Sequence, residues 1–183
     1  PGAAQALGRE LEQAPERETA RLGTYLVAAA HSPATWERLR QGTALLEAGH
    51  FRAARRRLQA VARTWPHFAD LHYLLGQACL REGRSRQGVA ALRRCLGLAP
   101  AFPGARSKLG IGLVAQGRFE EGYQELVAAL AEDPGSVSVL THLAQACHYL
   151  GNRKEGEMYL KRAMKQAPDH PVVRQTAKEF FSG

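Results

Sequence analysis

The sequence predicts an all-α fold, a solenoid of stacked helix pairs, and three observations carry that reading. A residue pattern returns at a fixed spacing of 34. Its apolar places fall at helical intervals, and glycine and proline punctuate it at fixed points. Between Ala69 and Ser136 the chain says nearly the same thing twice: Leu75-Gly76 returns as Leu109-Gly110, Gly83 as Gly117, Gly88 as Gly122, Leu92 as Leu126 and Pro100 as Pro134. The register extends back to Gly42, Gly49, Ala54, Leu58 and Pro66, and forward to Leu143-Ala144, Gly151, Gly156, Leu160, Ala163 and Pro168. Four units result, 35–68, 69–102, 103–136 and 137–170.

Within each unit, places 4, 7, 8 and 11 share one face of a first helix, and 20, 24 and 27 share one face of a second. Two helices of about 13 residues therefore present facing stripes. Place 8 is Gly42, Gly76, Gly110 or Ala144, and place 20 is Ala54, Gly88, Gly122 or Gly156. Glycine inside a helix costs about 1 kcal/mol relative to alanine, so its recurrence there means that room for packing outweighs propensity. Gly83, Gly117 and Gly151 fall where the first helix must end. Proline at place 32 stops the second, since it has no N–H and disfavours a helical residue before it.

The ends of the chain fit less well. Residues 1–34 match in part, through Leu7-Gly8, Leu11 and Ala20, but Pro15 sits at the turn and Thr24 replaces a large apolar residue. They read as a degenerate repeat with helices near 3–14 and 16–30, ended by Ser32-Pro33. Its acidic first half, with Glu10, Glu12, Glu16 and Glu18, is either part of an ordinary terminal cap or a mobile segment that docks on a neighbouring molecule. At 171–183, Pro171 suits the first turn of a capping helix whose apolar stripe is Val173, Ala177, Phe180 and Phe181.

Each unit resembles the tetratricopeptide repeat (TPR), in which a large residue stands at place 4, Leu-Gly or Leu-Ala at 7 and 8, a large apolar residue at 11 and 24, Ala or Gly at 20, Ala at 27 and Pro at 32. Place 24 is Leu and place 32 is Pro in all four units. The departures are Gln41 at place 7 and Arg38, His72, Arg106 and Leu140 at place 4. The resemblance implies a right-handed superhelix whose first helices line a concave groove through places 2, 5, 6, 9, 12 and 13. Carried over to this chain, the groove-lining residues are Trp36, Leu39, Arg40, Thr43, Tyr73, Gln77, Arg81, Lys108, Ile111, Thr141, His142, Gln145, His148 and Tyr149. Leu39, Leu74 and Val114 read equally well as packing between repeats. The two-carboxylate clamp of chaperone-binding TPR domains is not matched: its places hold Leu39, Thr43, Leu74, Gly104 and Lys108, of which only Lys108 is suitable.

Charge is concentrated. From Arg52 to Arg118 there are twelve arginines and one lysine against only Asp70 and Glu82, within a chain of net charge +8. Arg52, Arg55, Arg56, Arg57, Arg84, Arg86, Arg93 and Arg94 belong to turns and second helices, which the family places on the convex face. That basic face is either a solvated, arginine-biased surface or a second site for an acidic protein or an anionic membrane surface. Nucleic acid is disfavoured, because bases need aromatic platforms and this face shows almost none.

Chemistry finds no footing. His142 and His148 are six apart, roughly 240° round a helix, and so do not share a face as metal ligands would. Cys79, Cys95 and Cys147 occupy core places and read as free thiols in a reducing compartment. No glycine-rich phosphate loop follows a strand. No catalytic residue, metal or cofactor is expected. At 45% hydrophobic and 23% charged, the chain is ordinary globular material, with no apolar run near the roughly 18 to 20 residues that cross a membrane. Pro1-Gly2-Ala3 has neither an initiator Met nor a signal pattern, which reads as a truncated chain with an upstream targeting segment left open. The expected location is cytoplasmic, free or peripheral to a membrane.

The expected function is non-enzymatic protein binding, with a peptide or helix held in the groove. The alternative is a self-assembling scaffold, in which one subunit's terminal segment fills a neighbour's groove and the contact propagates. Certain bacterial TPR scaffolds, including the one that coats magnetosome organelles, resemble that design.

Overall fold

The computed structural model describes residues 32–181, so the degenerate repeat read at 1–34 lies almost wholly outside the described residues. All regular structure in the described residues is helical. The chain forms two compact units, one ending at Pro66 and the other beginning at His67.

The first unit contains α1 (Pro33–Glu47) and α2 (Phe51–Thr64). Pro33 opens α1, where its missing N–H costs nothing, and the Ser32 carbonyl accepts from the N–H groups of Thr35 and Trp36 at 3.0 Å. Gly42 meets Leu58 so closely that a methyl on Gly42 would lie 2.8 Å from Leu58 Cδ2. Leu39, Ala54, Leu58 and Val61 are buried.

The second unit contains α3 (Ala69–Arg81), α4 (Ser85–Leu98), α5 (Ala105–Val114), α6 (Phe119–Glu132), α7 (Val137–Tyr149), α8 (Arg153–Gln166) and α9 (Pro171–Phe181). Each second helix stops two residues before the proline at place 32, as at Leu98 before Pro100. First helices end on glycine: Gly83 has φ +80°, its N–H donates to the Leu80 carbonyl at 3.0 Å, and the Arg84 N–H reaches back to Cys79 at 2.8 Å. Those two bonds satisfy carbonyls that the last turn would leave open.

The repeated small residues are points of close approach. A methyl on Gly76 would lie 2.6 Å from Leu92 Cγ, and one on Gly110 the same distance from Leu126 Cγ. At place 20, a methyl on Gly122 would lie 2.7 Å from Val114 Cγ2 and 3.1 Å from the Gly110 carbonyl oxygen. Around these contacts the leucines at place 24 are fully buried, and Val89, Leu92, Leu109 and Leu113 bridge one repeat to the next. Cys79, Cys95 and Cys147 are all free and buried.

Three details depart from expectation. The first helix of the third repeat, α5, is only 10 residues long. Pro103 precedes Gly104, whose left-handed φ of +70° holds it outside the helix. Arg106 at place 4 replaces a large packing residue by an ionic one, reaching Glu125 and Glu132 of α6 at 3.4 Å each. At α9, Val173 and Phe180 are buried as expected, but Phe181 is 54% exposed and Thr176 takes its place in the packed face. A helical step of one residue turns about 100°, so Phe180 and Phe181 cannot both face the core.

Candidate functional site

In the second unit the first helices α3, α5 and α7 pack side by side, which brings their register-matched places together. Lys108 of α5 and His142 of α7 stand on adjacent first helices, and the ammonium disfavours a positive charge on the imidazole. His142 Nδ1 meets the Ser138 carbonyl at 2.7 Å, one turn back on its own helix. As the donor in that bond, Nδ1 carries the proton and Nε2 is left as an acceptor. Burial lowers the imidazole pKa, the Ser138 carbonyl opposes that shift, and Lys108 adds to it. His142 is therefore neutral near pH 7. Neither α5 nor α7 carries an acidic residue, and the one on α3, Asp70, is buried. No ion pair among the described residues involves Lys108. Arg81 is exposed at the end of α3, so the exposed charges on these three helices are basic, and their one carboxylate, Asp70, is buried.

The remaining expected groove residues divide by burial. Gln77 and Ile111 are half-buried, Ile111 against the core that joins the third and fourth repeats. Tyr73 is also half-buried, but its ring packs 4.9 Å from Phe102 and against the core shared by the second and third repeats, so it does not stand free in a groove. Thr141 is 1% exposed and donates to the Val137 carbonyl at 2.7 Å, which removes it from any ligand-facing wall. Gln145 donates to Thr176 of α9 at 3.0 Å and so locks the cap helix. His148 and Tyr149 are exposed, yet Tyr149 turns away to stack on Phe119 at 4.3 Å, while His148 lies 5.3 Å from Phe180. In the first unit, Arg40 pairs with Glu37 at 2.9 Å, Thr43 donates to the Leu39 carbonyl, Trp36 is half-buried and Leu39 is 2% exposed. Leu39 and Thr141 thus correct the register-based assignment, because places that pack against a neighbouring helix are not free for a ligand. Val114, 9% exposed, likewise packs between repeats.

The arginines of the second helices are accessible but not idle. Arg52, Arg56, Arg57, Arg84, Arg86, Arg93 and Arg94 are exposed and Arg55 half-buried. Arg55 donates to Gln59 at 2.9 Å, Arg57 to Gln41, and Arg93 to Glu121 at 3.1 Å. One cluster was not legible in the repeat pattern. Tyr123 of α6 donates to Glu155 of α8 at 2.5 Å, and Tyr159 donates to the same oxygen at 3.2 Å, tying the third repeat to the fourth. The Glu155 contact and burial raise the Tyr123 pKa, which keeps the phenol a donor.

Two family signatures, both described as tetratricopeptide repeat, match residues 39–105 and 113–178. The chain belongs to the tetratricopeptide repeat family. TPR proteins are in general interaction modules, without catalytic activity of their own. A curated relative, a TPR repeat-containing protein of Pseudomonas aeruginosa, is 28% identical over 111 residues, which is 61% of this chain and 45% of the relative. The chain thus spans less than half the length of that relative. Among solved structures, YrrB, described as a TPR protein with an unusual peptide-binding site, aligns with a TM-score of 0.71 and 23% identity over 96% of this chain and 88% of its own. MamA aligns with a TM-score of 0.70 and 21% identity over 81% of this chain and 85% of its own. At these identities the structural likenesses establish the fold alone. Among the described residues no His, Cys, Asp or Glu cluster is placed to hold a metal, and no helix is long and apolar enough to cross a membrane.

Proposed function

We propose that this TPR chain is a non-enzymatic adaptor that holds an extended segment or short helix of a protein partner against the first helices α3, α5 and α7. The observation that carries this reading is the Lys108 and His142 pair on adjacent first helices, on a face with no exposed carboxylate. Such a face accepts a segment that brings a carboxylate to Lys108 and a donor to His142 Nε2, with Ile111 and Gln77 beside them. A half-buried cation attracts a ligand carboxylate more strongly than a fully hydrated one does. The peptide-binding site named for YrrB supports the class of partner, and the family supports the interaction role.

The test is partner capture from the source cells by the full chain, followed by binding of the recovered segment measured by fluorescence anisotropy. Replacing Gln77, Lys108 and His142 together by Ala is expected to abolish that binding with helicity unchanged by circular dichroism. Tyr73 is left intact, because its ring is part of the packing. Retained binding in that variant, together with loss when Arg93 and Arg94 are reversed to Glu, would place the partner on the second helices and refute the proposal.

A further inference from the structure

The turn between the first and second helix of a repeat is built differently along the second unit, and the difference opens a cleft. Where the third and fourth repeats meet, the edge is closed by Phe119 at the start of α6 and Tyr149 at the end of α7, whose rings stack at 4.3 Å and 9°. The equivalent residues where the second and third repeats meet are Ser85 and Ala115, at the start of α4 and just past the end of α5. These small side chains leave an open cleft of about 740 Å³, rimmed by Arg84, Arg86 and Arg118. Gln116 donates from Nε2 to the Ser85 carbonyl at 3.0 Å and fixes the distance between its walls.

The electrostatics are uneven. Arg84 pairs with Glu82 at 3.2 Å, and Arg118 is held by Glu121, which also accepts from Arg93 at 3.1 Å. The Glu121 pairs are exposed at both ends, so an incoming anion competes with them for Arg118, whereas Glu82 is largely buried and holds Arg84 more firmly. Arg86 is exposed and belongs to none of them.

We propose that this cleft receives an aromatic side chain of an acidic protein segment, the ring taking the position that Phe119 and Tyr149 fill one repeat later. Carboxylates beside that ring meet Arg86, with Arg84 and Arg118 at the rim. Arginine and aromatic rings are the side chains that interfaces concentrate at their centres. A protein is favoured over single-stranded nucleic acid because the latter tracks along successive ring platforms. Here the next ring pair is closed on itself. The cleft lies about two helical turns from Lys108, so it is a second contact and independent of the first-helix face.

The experiment uses the full chain and three fluorescent probes: a short peptide of Asp and Glu with one central Phe, its twin with Ala in place of Phe, and an oligothymidylate of equal charge. The Phe peptide is expected to bind about tenfold more tightly than its twin. Ala115→Tyr, which installs the ring found at Tyr149, removes that preference, and Ser85→Phe does the same from the opposite wall. Arg86→Glu weakens both peptides. Lys108→Ala combined with His142→Ala leaves the Phe preference unchanged, which separates this site from the one above. No binding, equal binding of the twins, a Phe preference that survives both filling variants, or tighter binding of the oligothymidylate overturns the proposal, the last assigning the cleft to nucleic acid.

Discussion

His142 is the candidate-site residue whose protonation its neighbours set. Its folded pKa is lowered from 6.5, first by burial, so the folded state binds fewer protons than the unfolded chain just below that value. The stability this contributes is present above pH 6.5 and is lost as the pH falls through the folded pKa. Urea unfolding on either side of that pH should therefore show acid destabilisation that His142→Gln reduces; an unchanged pH dependence in the variant would contradict the burial argument. Cys147 makes the complementary case. Burial, then the nearby Glu155, pushes its thiol up to about 12, so the reactive thiolate is scarce in the folded chain. With Cys79 and Cys95 also buried, an aromatic disulfide reagent is expected to label no thiol in the native protein and all three after denaturation. Rapid labelling of the native chain would show the core to be open to solvent.

Helix pairs are held by two glycine devices that single substitutions can separate. At Gly83 nothing lies within 4 Å of an added methyl, so Gly83→Ala meets only the cost of a left-handed φ of +80°. That cost is about 1 to 2 kcal/mol and should appear as a lower melting temperature. At Gly122 the φ is ordinary and space is the constraint, so Gly122→Leu should overpack α5 against α6 and destabilise by about 1 to 3 kcal/mol. A neutral shift there would mean that the register is wrong. Both devices were legible in the sequence because a fixed period exposes each glycine several times over. The site was less legible. Register places a residue on a face but cannot tell whether a neighbouring helix covers it, which is why Thr141 and Leu39 read as groove residues and are buried. Nor does it show partners that join different repeats, such as Glu155 with Tyr123 or Gln145 with Thr176. Phe181 has a simpler reason: adjacent residues stand about 100° apart on a helix, so of the two phenylalanines only Phe180 reaches the core.

Over the whole chain, a net charge of +8 suits the acidic segment proposed as partner. A self-assembling scaffold is the competing architecture, and light scattering at low and high salt, with residues 1–34 present or deleted, distinguishes the two. An adaptor keeps one small, fixed mass under every condition, whereas a scaffold forms large assemblies that deletion dissolves. The central claim is that the partner lies along α3, α5 and α7, and photo-cross-linking tests it most directly. A photoreactive residue replacing Gln77 should join the chain to its partner, one replacing Arg94 should not, and Lys108→Ala should suppress the Gln77 product. Cross-links formed from position 94 alone would contradict the account.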